Sequence, residues 1–344
     1  MKKIRVSING FGRIGRAFLK IAWERPEIEI VAVNDLGNIE NMAYLLKYDT
    51  VYRKWNHDVT VDGDSIVIDA DKNRKVKVIA QKDPTLLPWK DLEIDVVVES
   101  TGLFVAYEKA KVHLDAGAKK VVISAPAKDS DGSVAGETIL LGVNEEKFGT
   151  CDITSNASCT TNAASPLIAI MDESLGIEKA ILNTVHGYTA SQALVDGPSK
   201  KDPREGRAAA QNIVPSSTGA AIAVTKAFTK LAGLFDGISI RVPVPAGSIV
   251  DVTFISKKET TKEEVNEILK KAAQDKRWEN IFAVTEEDLV SSDILGNKYG
   301  SMADLKMTRV VGGNLVKVMG WYDNEMGYTY TLVDHVIKTG NTIK

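Results

Sequence analysis

The chain has 344 residues, room for about two domains at roughly 150 residues each. Lys plus Arg number 43 against 46 for Asp plus Glu, and the net charge of −3 argues against a nucleic-acid or anionic-membrane binder. No apolar run reaches the roughly 18 residues of a membrane span, and two cysteines build neither a disulfide framework nor a multi-cysteine zinc site. The opening MKKIRVSING enters a strand pattern at once, so no signal peptide is expected and a reducing, cytoplasmic setting is the default. Through residue 150, short β-branched runs alternate with helical stretches. Strands are expected at 4–8, 28–33, 95–99, 120–124 and 139–143, with helices at 14–23 and 107–116, the second closed by Gly117. This order predicts a parallel sheet covered on both faces. Between Val59 and Val78, VTVDGDSIVI reads as a β-hairpin insert.

A strand at 151–155 leads into a helix from about Cys159 to Leu175, in which Pro166 is expected to kink or weaken a turn. The strand AILNTVHGYT follows, then a long irregular stretch, 190–215, holding glycines, prolines and charges without apolar periodicity. Further strands are expected at 237–244 and 248–256. The helix 262–274 opens with a capping box, Thr261 to Glu264, and sets Val265, Ile268, Leu269 and Ala272 on one face. A strand at 315–321 and a helix near 329–339 finish the chain. The second half reads as a mixed, mainly antiparallel sheet with helices.

Two segments carry chemistry. Gly10-Phe-Gly12-Arg-Ile-Gly15 follows a strand and opens a helix, the context a dinucleotide fingerprint requires. The first glycine makes the tight turn, the second lets backbone approach a pyrophosphate, and the third lets helix pack on strand. Asp35 ends the second strand, placed to accept hydrogen bonds from an adenosine ribose and to repel a 2′-phosphate. The cofactor expected is NAD.

The other segment is Ser155-Asn-Ala-Ser-Cys159-Thr-Thr-Asn162. A thiol at a helix N-terminus meets free amides and the positive end of the dipole, which favour the thiolate. Its own N–H stands where an oxyanion would form. Cys151 reads as a small buried residue. Of the four histidines, His57 falls in a polar loop and His113 and His335 in helices; His186 ends a strand that returns toward the thiol and is the first choice for its base.

These residues resemble a known family. NGFGRIGR, SNASCTTN, the segment around His186, SSTGAA and WYDNEMGY occur in order over essentially the whole chain, as in phosphorylating glyceraldehyde-3-phosphate dehydrogenases. The resemblance implies an α/β fold: a Rossmann NAD-binding domain, residues 1–158, with the C-terminal helix 324–344 packing back on it. A catalytic domain, 159–323, would include an S-shaped loop, 190–215. It implies Cys159 as nucleophile and His186 as base, working through a thiohemiacetal and a thioester. Contacts to substrate and inorganic phosphate fall on Ser158, Thr160, Thr189, Arg204, Thr218, Gly219 and Arg241. Cofactor contacts fall on Gly10, Gly12, Arg13, Ile14, Gly15, Asp35, Lys82, Thr101, Ser124 and Asn324, and no metal is implied. The implied assembly is a homotetramer, and the implied substrates are glyceraldehyde 3-phosphate and inorganic phosphate, with no nucleic acid and no membrane as partner. Erythrose-4-phosphate dehydrogenase, the sister enzyme, is the alternative; from another class, a non-catalytic NAD-binding regulator is a third reading. Three departures stand out: Ala163 replaces a common second cysteine, RVPVPAG replaces RVPTPN after Arg241, and Lys82 replaces a common arginine.

Overall fold

The computed structural model describes residues 3–71, 74–128, 131–199 and 202–343. Internal contacts divide the chain into two units: Met1–Ile139 with Glu145–Ala157 and Leu332–Lys344, and Leu140–Asn144 with Ser158–Thr331.

In the first unit, Val96–Glu99 and Lys120–Ile123 each carry three successive β-branched residues and are buried throughout, the pattern of strands covered on both faces. The strands lie in the order Gly136–Thr138, Ile153–Ser155, Lys120–Ile123, Val96–Glu99, Ile4–Asn9, Ile28–Asn34, Lys75–Ile79, Ser65–Ile68, Val59–Asp62. Pairing is parallel as far as Lys75–Ile79 and antiparallel for the last two strands. Chain order reverses beside Ile4–Asn9, which has the second strand on one side and Val96–Glu99 on the other. In such sheets the crevice outside the strand carboxyl ends at this reversal takes the ligand.

The expected hairpin forms, Val59–Asp62 pairing antiparallel with Ser65–Ile68, and Lys75–Ile79 joins it to the sheet by pairing with both Ile28–Asn34 and Ser65–Ile68. Two local expectations change. Residues 139–143 form no strand; the strand is Gly136–Thr138. The Asn144 Oδ1 accepts from the Leu140 N–H at 2.8 Å and Gly142 sits at φ 73°, so this apolar stretch closes as a turn. The helix at 107–116 divides into Tyr107–Ala110 and Val112–Asp115.

In the second unit the order is Val214–Ser217, Phe235–Val242, Ile177–Gly187, Ser248–Ser256, Leu315–Tyr322, Ser301–Asp304, Phe282–Thr285. Two pairings are parallel, Ile177–Gly187 with Phe235–Val242 and Phe282–Thr285 with Ser301–Asp304; the others along this order are antiparallel. The helix Cys159–Ser174 crosses one face, with every residue from Thr160 to Asp172 buried. Pro166 lies inside it without ending it; the proline withholds the N–H that would have bonded the Asn162 carbonyl. On the helix Lys262–Ala273, Thr261 accepts from the Glu264 N–H at 3.2 Å, but the Glu264 carboxylate takes the Thr260 hydroxyl at 2.9 Å instead of closing the box. The stretch 190–215, of which residues 200 and 201 lie outside the described residues, folds on itself. The Gly197 N–H donates to the Gly206 carbonyl at 2.8 Å, and Pro203–Gly206 forms a 3-10 turn.

Two histidines of the first unit set opposite pH dependences. His335, on the helix Met326–Gly340, is fully buried, its Nδ1 donating to Asn156 Oδ1 at 3.2 Å and its Nε2 accepting from Thr154 Oγ1 at 2.8 Å. Burial pulls it down to about 3. The unfolded chain, with an ordinary imidazole near pH 6.5, takes up a proton that the folded chain refuses, so stability present above that pH is lost as pH falls toward 3. For His57, burial acts downward but is outweighed by Asp69 at 2.5 Å and Glu24 at 2.7 Å, and its net shift is upward. Its contribution is fully present below about pH 6.5 and is lost as pH rises through the folded value. We expect urea midpoints to drop between pH 6 and pH 4.5, and the His335→Gln variant to lose about 1 kcal/mol per pH unit of that dependence. An identical pH dependence in the variant contradicts this.

Candidate active site

At the carboxyl end of Ile4–Asn9 the three fingerprint glycines meet three different demands. Gly10 sits at φ 94°, and a Cβ there would stand 2.7 to 2.9 Å from the backbone of Ser100 and Thr101. At Gly12 nothing lies within 4 Å of where a Cβ would be, so a ligand can rest against the backbone. A Cβ on Gly15 would meet the Gly10 carbonyl oxygen at 2.2 Å, which fixes the close helix–strand packing. No side chain caps the helix Arg13–Trp23 at Gly12. The Asp35 carboxylate is held across this loop by the N–H groups of Phe11 at 2.7 Å and Gly37 at 2.9 Å. An open glycine cradle at a helix N-terminus beside a fixed carboxylate fits a dinucleotide's pyrophosphate and ribose. The Arg13 guanidinium is turned to Asp49 at 2.5 Å, which leaves the backbone of Arg13 and Ile14 as their part of the cradle. Thr101 donates its N–H to Glu99 at 2.8 Å, the Ser124 N–H goes to the Glu99 carbonyl at 2.9 Å, and Lys82 is exposed.

In the second unit Ser158 caps the long helix by accepting from the Thr161 N–H at 3.1 Å, which makes Cys159 the first helical residue. The preceding Ala157 holds a left-handed φ of 55°, a conformation costing a residue with a β-carbon about 1–2 kcal/mol. His186 lies one residue from the end of Ile177–Gly187, and its Nε2 stands 3.4 Å from the Cys159 Sγ. Its Nδ1 lies 2.6 Å from the Gly187 carbonyl, an acceptor only, so the ring proton belongs to Nδ1 and the Nε2 lone pair faces the sulfur. Burial, reinforced by the charge of Arg241, holds His186 down to about 3. Burial also pushes the Cys159 thiol up against the downward pull of Arg241 and the helix-start amides, although the residue keeps part of its surface open. Burial of both groups thus favours the neutral forms, thiol and imidazole. Desolvation acts against the helix-start amides, which pull toward the thiolate.

Strand register brings Arg241 to this dyad: it pairs directly with His186 across the parallel ladder. Among the described residues its buried Nε and Nη1 have no hydrogen-bond partner. A guanidinium with unspent donors beside a nucleophile is a site for an anionic oxygen. Tyr322 braces the arrangement. Its hydroxyl joins Thr160 Oγ1 at 2.9 Å and Thr184 Oγ1 at 2.7 Å, and its ring meets His186 edge-on at 5.9 Å. Thr160 follows the nucleophile and Thr184 precedes the base by two residues, so one phenol ties both elements. The sequence reading passed over Tyr322; the signal was strand alternation, which turns it inward. We expect Tyr322→Phe to lower kcat about tenfold while the protein stays folded, measured by steady-state rates and circular dichroism. Unchanged kcat contradicts the brace.

The remaining expected contacts are distributed unevenly. The Thr160 hydroxyl is taken up by Tyr322. Thr218 Oγ1 accepts from the Ala220 N–H at 3.2 Å, and Gly219 leads into the helix Ala220–Ala227 with open space at its α-carbon. Thr189 pairs with Ser191 at 3.1 Å. Arg204 is solvated and spent on Asp202 at 2.7 Å. The Asn324 Oδ1 accepts from the Gly247 N–H at 3.0 Å and the Ser248 hydroxyl at 3.1 Å, leaving Nδ2 as its donor end.

A dinucleotide cradle in one unit, and a thiol, an imidazole and an unspent guanidinium in the other, point to one class: an oxidoreductase. Comparison with known proteins narrows it. Residues 4–107 match the family model for the NAD binding domain of glyceraldehyde 3-phosphate dehydrogenase, and residues 158–324 match the model for its C-terminal domain. The chain is 46% identical over 343 residues to glyceraldehyde-3-phosphate dehydrogenase 2 of Streptomyces avermitilis, covering 99% of both chains. It is 46% identical over 331 residues to glyceraldehyde-3-phosphate dehydrogenase B of Aspergillus oryzae, covering 96% of each. With the Mycobacterium avium glyceraldehyde-3-phosphate dehydrogenase it shares 46% over 347 aligned residues, 99% of both. The chain belongs to the glyceraldehyde 3-phosphate dehydrogenase family.

Proposed function

We propose that this protein catalyses the NAD-dependent, phosphorylating oxidation of glyceraldehyde 3-phosphate to an acyl phosphate. The observation that carries the reading is the Cys159 Sγ at 3.4 Å from His186 Nε2, with the unspent donors of Arg241 alongside. In the first step the Cys159 proton passes to His186 Nε2, the sulfur attacks the aldehyde carbon, and Nε2 returns the proton to the carbonyl oxygen, forming a thiohemiacetal. Bound NAD supplies a two-electron acceptor. As the carbon is oxidised, His186 Nε2 takes the thiohemiacetal hydroxyl proton, and a thioester remains on Cys159. An inorganic phosphate oxygen then attacks the thioester carbon, the carbon–sulfur bond breaks, the departing sulfur takes the proton held on Nε2, and the acyl phosphate leaves.

The electrostatics link anion binding to this chemistry. Arg241 lowers the basicity of His186, so an anionic oxygen resting on the guanidinium offsets that charge and makes Nε2 a better proton acceptor. Asn324 offers Nδ2 to the nicotinamide carboxamide, and Thr218 and Gly219 offer the start of a helix to phosphate. We further propose a homotetramer in the cytoplasm. Ile181, Ile238 and Leu315, 58%, 52% and 43% exposed, share the open face of the second unit's sheet and support burial against further copies. Among the described residues no helix is long and apolar enough to cross a membrane. The test is NADH formation from glyceraldehyde 3-phosphate and NAD, with and without inorganic phosphate. The reading expects sustained turnover that requires phosphate; turnover indifferent to phosphate assigns water as acceptor and overturns it.

A further inference from the structure

We propose that a buried hydrogen-bond rail, running Trp89–His113–Glu99–Asn9–Asn34–Gln81, sets the register of the dinucleotide pocket as one unit, with Glu99 as its central positioning residue. The proposal rests on the NAD reading above. Trp89, His113, Glu99, Asn9 and Asn34 are all more than nine-tenths buried. Each member at the strand ends adjoins an expected cofactor contact in the chain: Asn9 precedes Gly10, Asn34 precedes Asp35, and Gln81 precedes Lys82. Glu99 reaches Thr101 directly.

The rail has one consistent direction. The Trp89 indole Nε1–H only donates, and it meets His113 Nδ1 at 3.2 Å. The imidazole proton is therefore on Nε2, which donates to Glu99 Oε2 at 3.0 Å. The same oxygen accepts from Asn9 Nδ2 at 2.6 Å, while Oε1 takes the Thr101 N–H at 2.8 Å and the Thr101 hydroxyl. With its nitrogen committed to Glu99, Asn9 presents Oδ1 to Asn34 Nδ2 at 2.7 Å. Asn34 then closes a two-way pair with Gln81, accepting the Gln81 N–H at 2.9 Å and donating to its carbonyl at 3.0 Å. No amide or ring in the series can turn without breaking its neighbour's bond. The Ser100 hydroxyl, donating to the Gly10 carbonyl at 2.7 Å, ties the same segment to the glycine loop.

Stability alone does not ask for this layer. Two residues earlier, on the same face of these strands, stand Ser7, Ala32 and Val97, all fully buried, and small or apolar side chains would fill the strand ends equally well. Amide and carboxylate side chains enter at the carboxyl ends, where the cofactor contacts begin, and a fully satisfied network specifies orientation that apolar packing does not.

The experiment is a double-mutant cycle on the purified full chain, titrating NAD by calorimetry and measuring steady-state KM and kcat. Glu99→Gln and Asn34→Ala are each expected to raise the NAD Kd at least tenfold and to raise KM for NAD by that factor, with kcat falling far less. The double variant is expected to lose much less than the product of the two, because the rail is already broken once. Folded single variants that bind NAD within twofold of wild type overturn the rail, as does a double variant whose losses multiply. If Glu99→Gln is not recovered folded, Trp89→Phe replaces it. This change lies at the far end of the rail, and a rise of threefold or more in Kd is expected; an unchanged Kd overturns the proposal. A wild-type chain that fails to bind NAD overturns the functional reading and this proposal with it, whereas wild-type binding with unaffected variants overturns the rail alone.

Discussion

Replacing Cys159 by serine is expected to lower dehydrogenase turnover by at least about a thousandfold, because a hydroxyl at this position neither ionises near neutral pH nor leaves as easily from an acyl intermediate. His186 Nε2 still faces the new oxygen, but an alcohol is a far weaker acid than a thiol, so transfer of its proton to Nε2 is far less favourable. Binding of NAD should stay within about twofold of wild type, since the glycine cradle and Asp35 belong to the first unit. Steady-state rates and an NAD titration on the same preparation separate the two effects. Retained turnover in Cys159→Ser removes the thiol from the mechanism; lost turnover with lost NAD binding points to misfolding instead.

The second large effect is expected at His186. The asparagine variant removes the lone pair that faces Cys159 while keeping a side-chain group for the Gly187 carbonyl. A missing general base costs about a hundredfold to ten-thousandfold in kcat. Because the thiol in this site is pushed up by burial, its reactivity at neutral pH depends on transfer of its proton to Nε2. Alkylation of Cys159 by iodoacetamide at pH 7 should therefore slow in His186→Asn, and the rate should recover as pH rises and the thiol ionises without help. An alkylation rate equal to wild type at pH 7 excludes His186 as the activator.

The parts of this protein that were legible in sequence are those whose physical demands are local. Gly10, Gly12 and Gly15 each answer a backbone requirement set within a few residues, and the small polar turn before Cys159 starts the helix that presents it. The return of His186 followed from one strand coming back after one helix. Arg241 was different: its place beside His186 depends on a parallel pairing of two strands far apart in the chain, and only the ladder register discloses it. Tyr322 was hidden for the same reason, since its partners Thr160 and Thr184 come from two other elements. The helix N-terminus that favours the Cys159 thiolate is visible in sequence, while the desolvation that opposes it is not. Residues 139–143 illustrate the opposite confusion. Their apolar composition suits a strand and a buried turn alike, and the decision fell to Gly142 and to one side-chain bond from Asn144. Glu264 likewise had two hydroxyl-bearing neighbours, and the carboxylate chose Thr260 over the N-cap's own backbone.

The central claim, an acyl group carried on Cys159 and released by phosphate, is tested most directly by a single-turnover experiment without phosphate. Mixing the enzyme with NAD and glyceraldehyde 3-phosphate should give a burst of NADH close to one per active site, with the acyl mass found on the peptide containing Cys159. Adding inorganic phosphate should then discharge that mass and restart turnover. A burst that leaves no acyl group on Cys159, or an acyl group that phosphate does not release, contradicts the account.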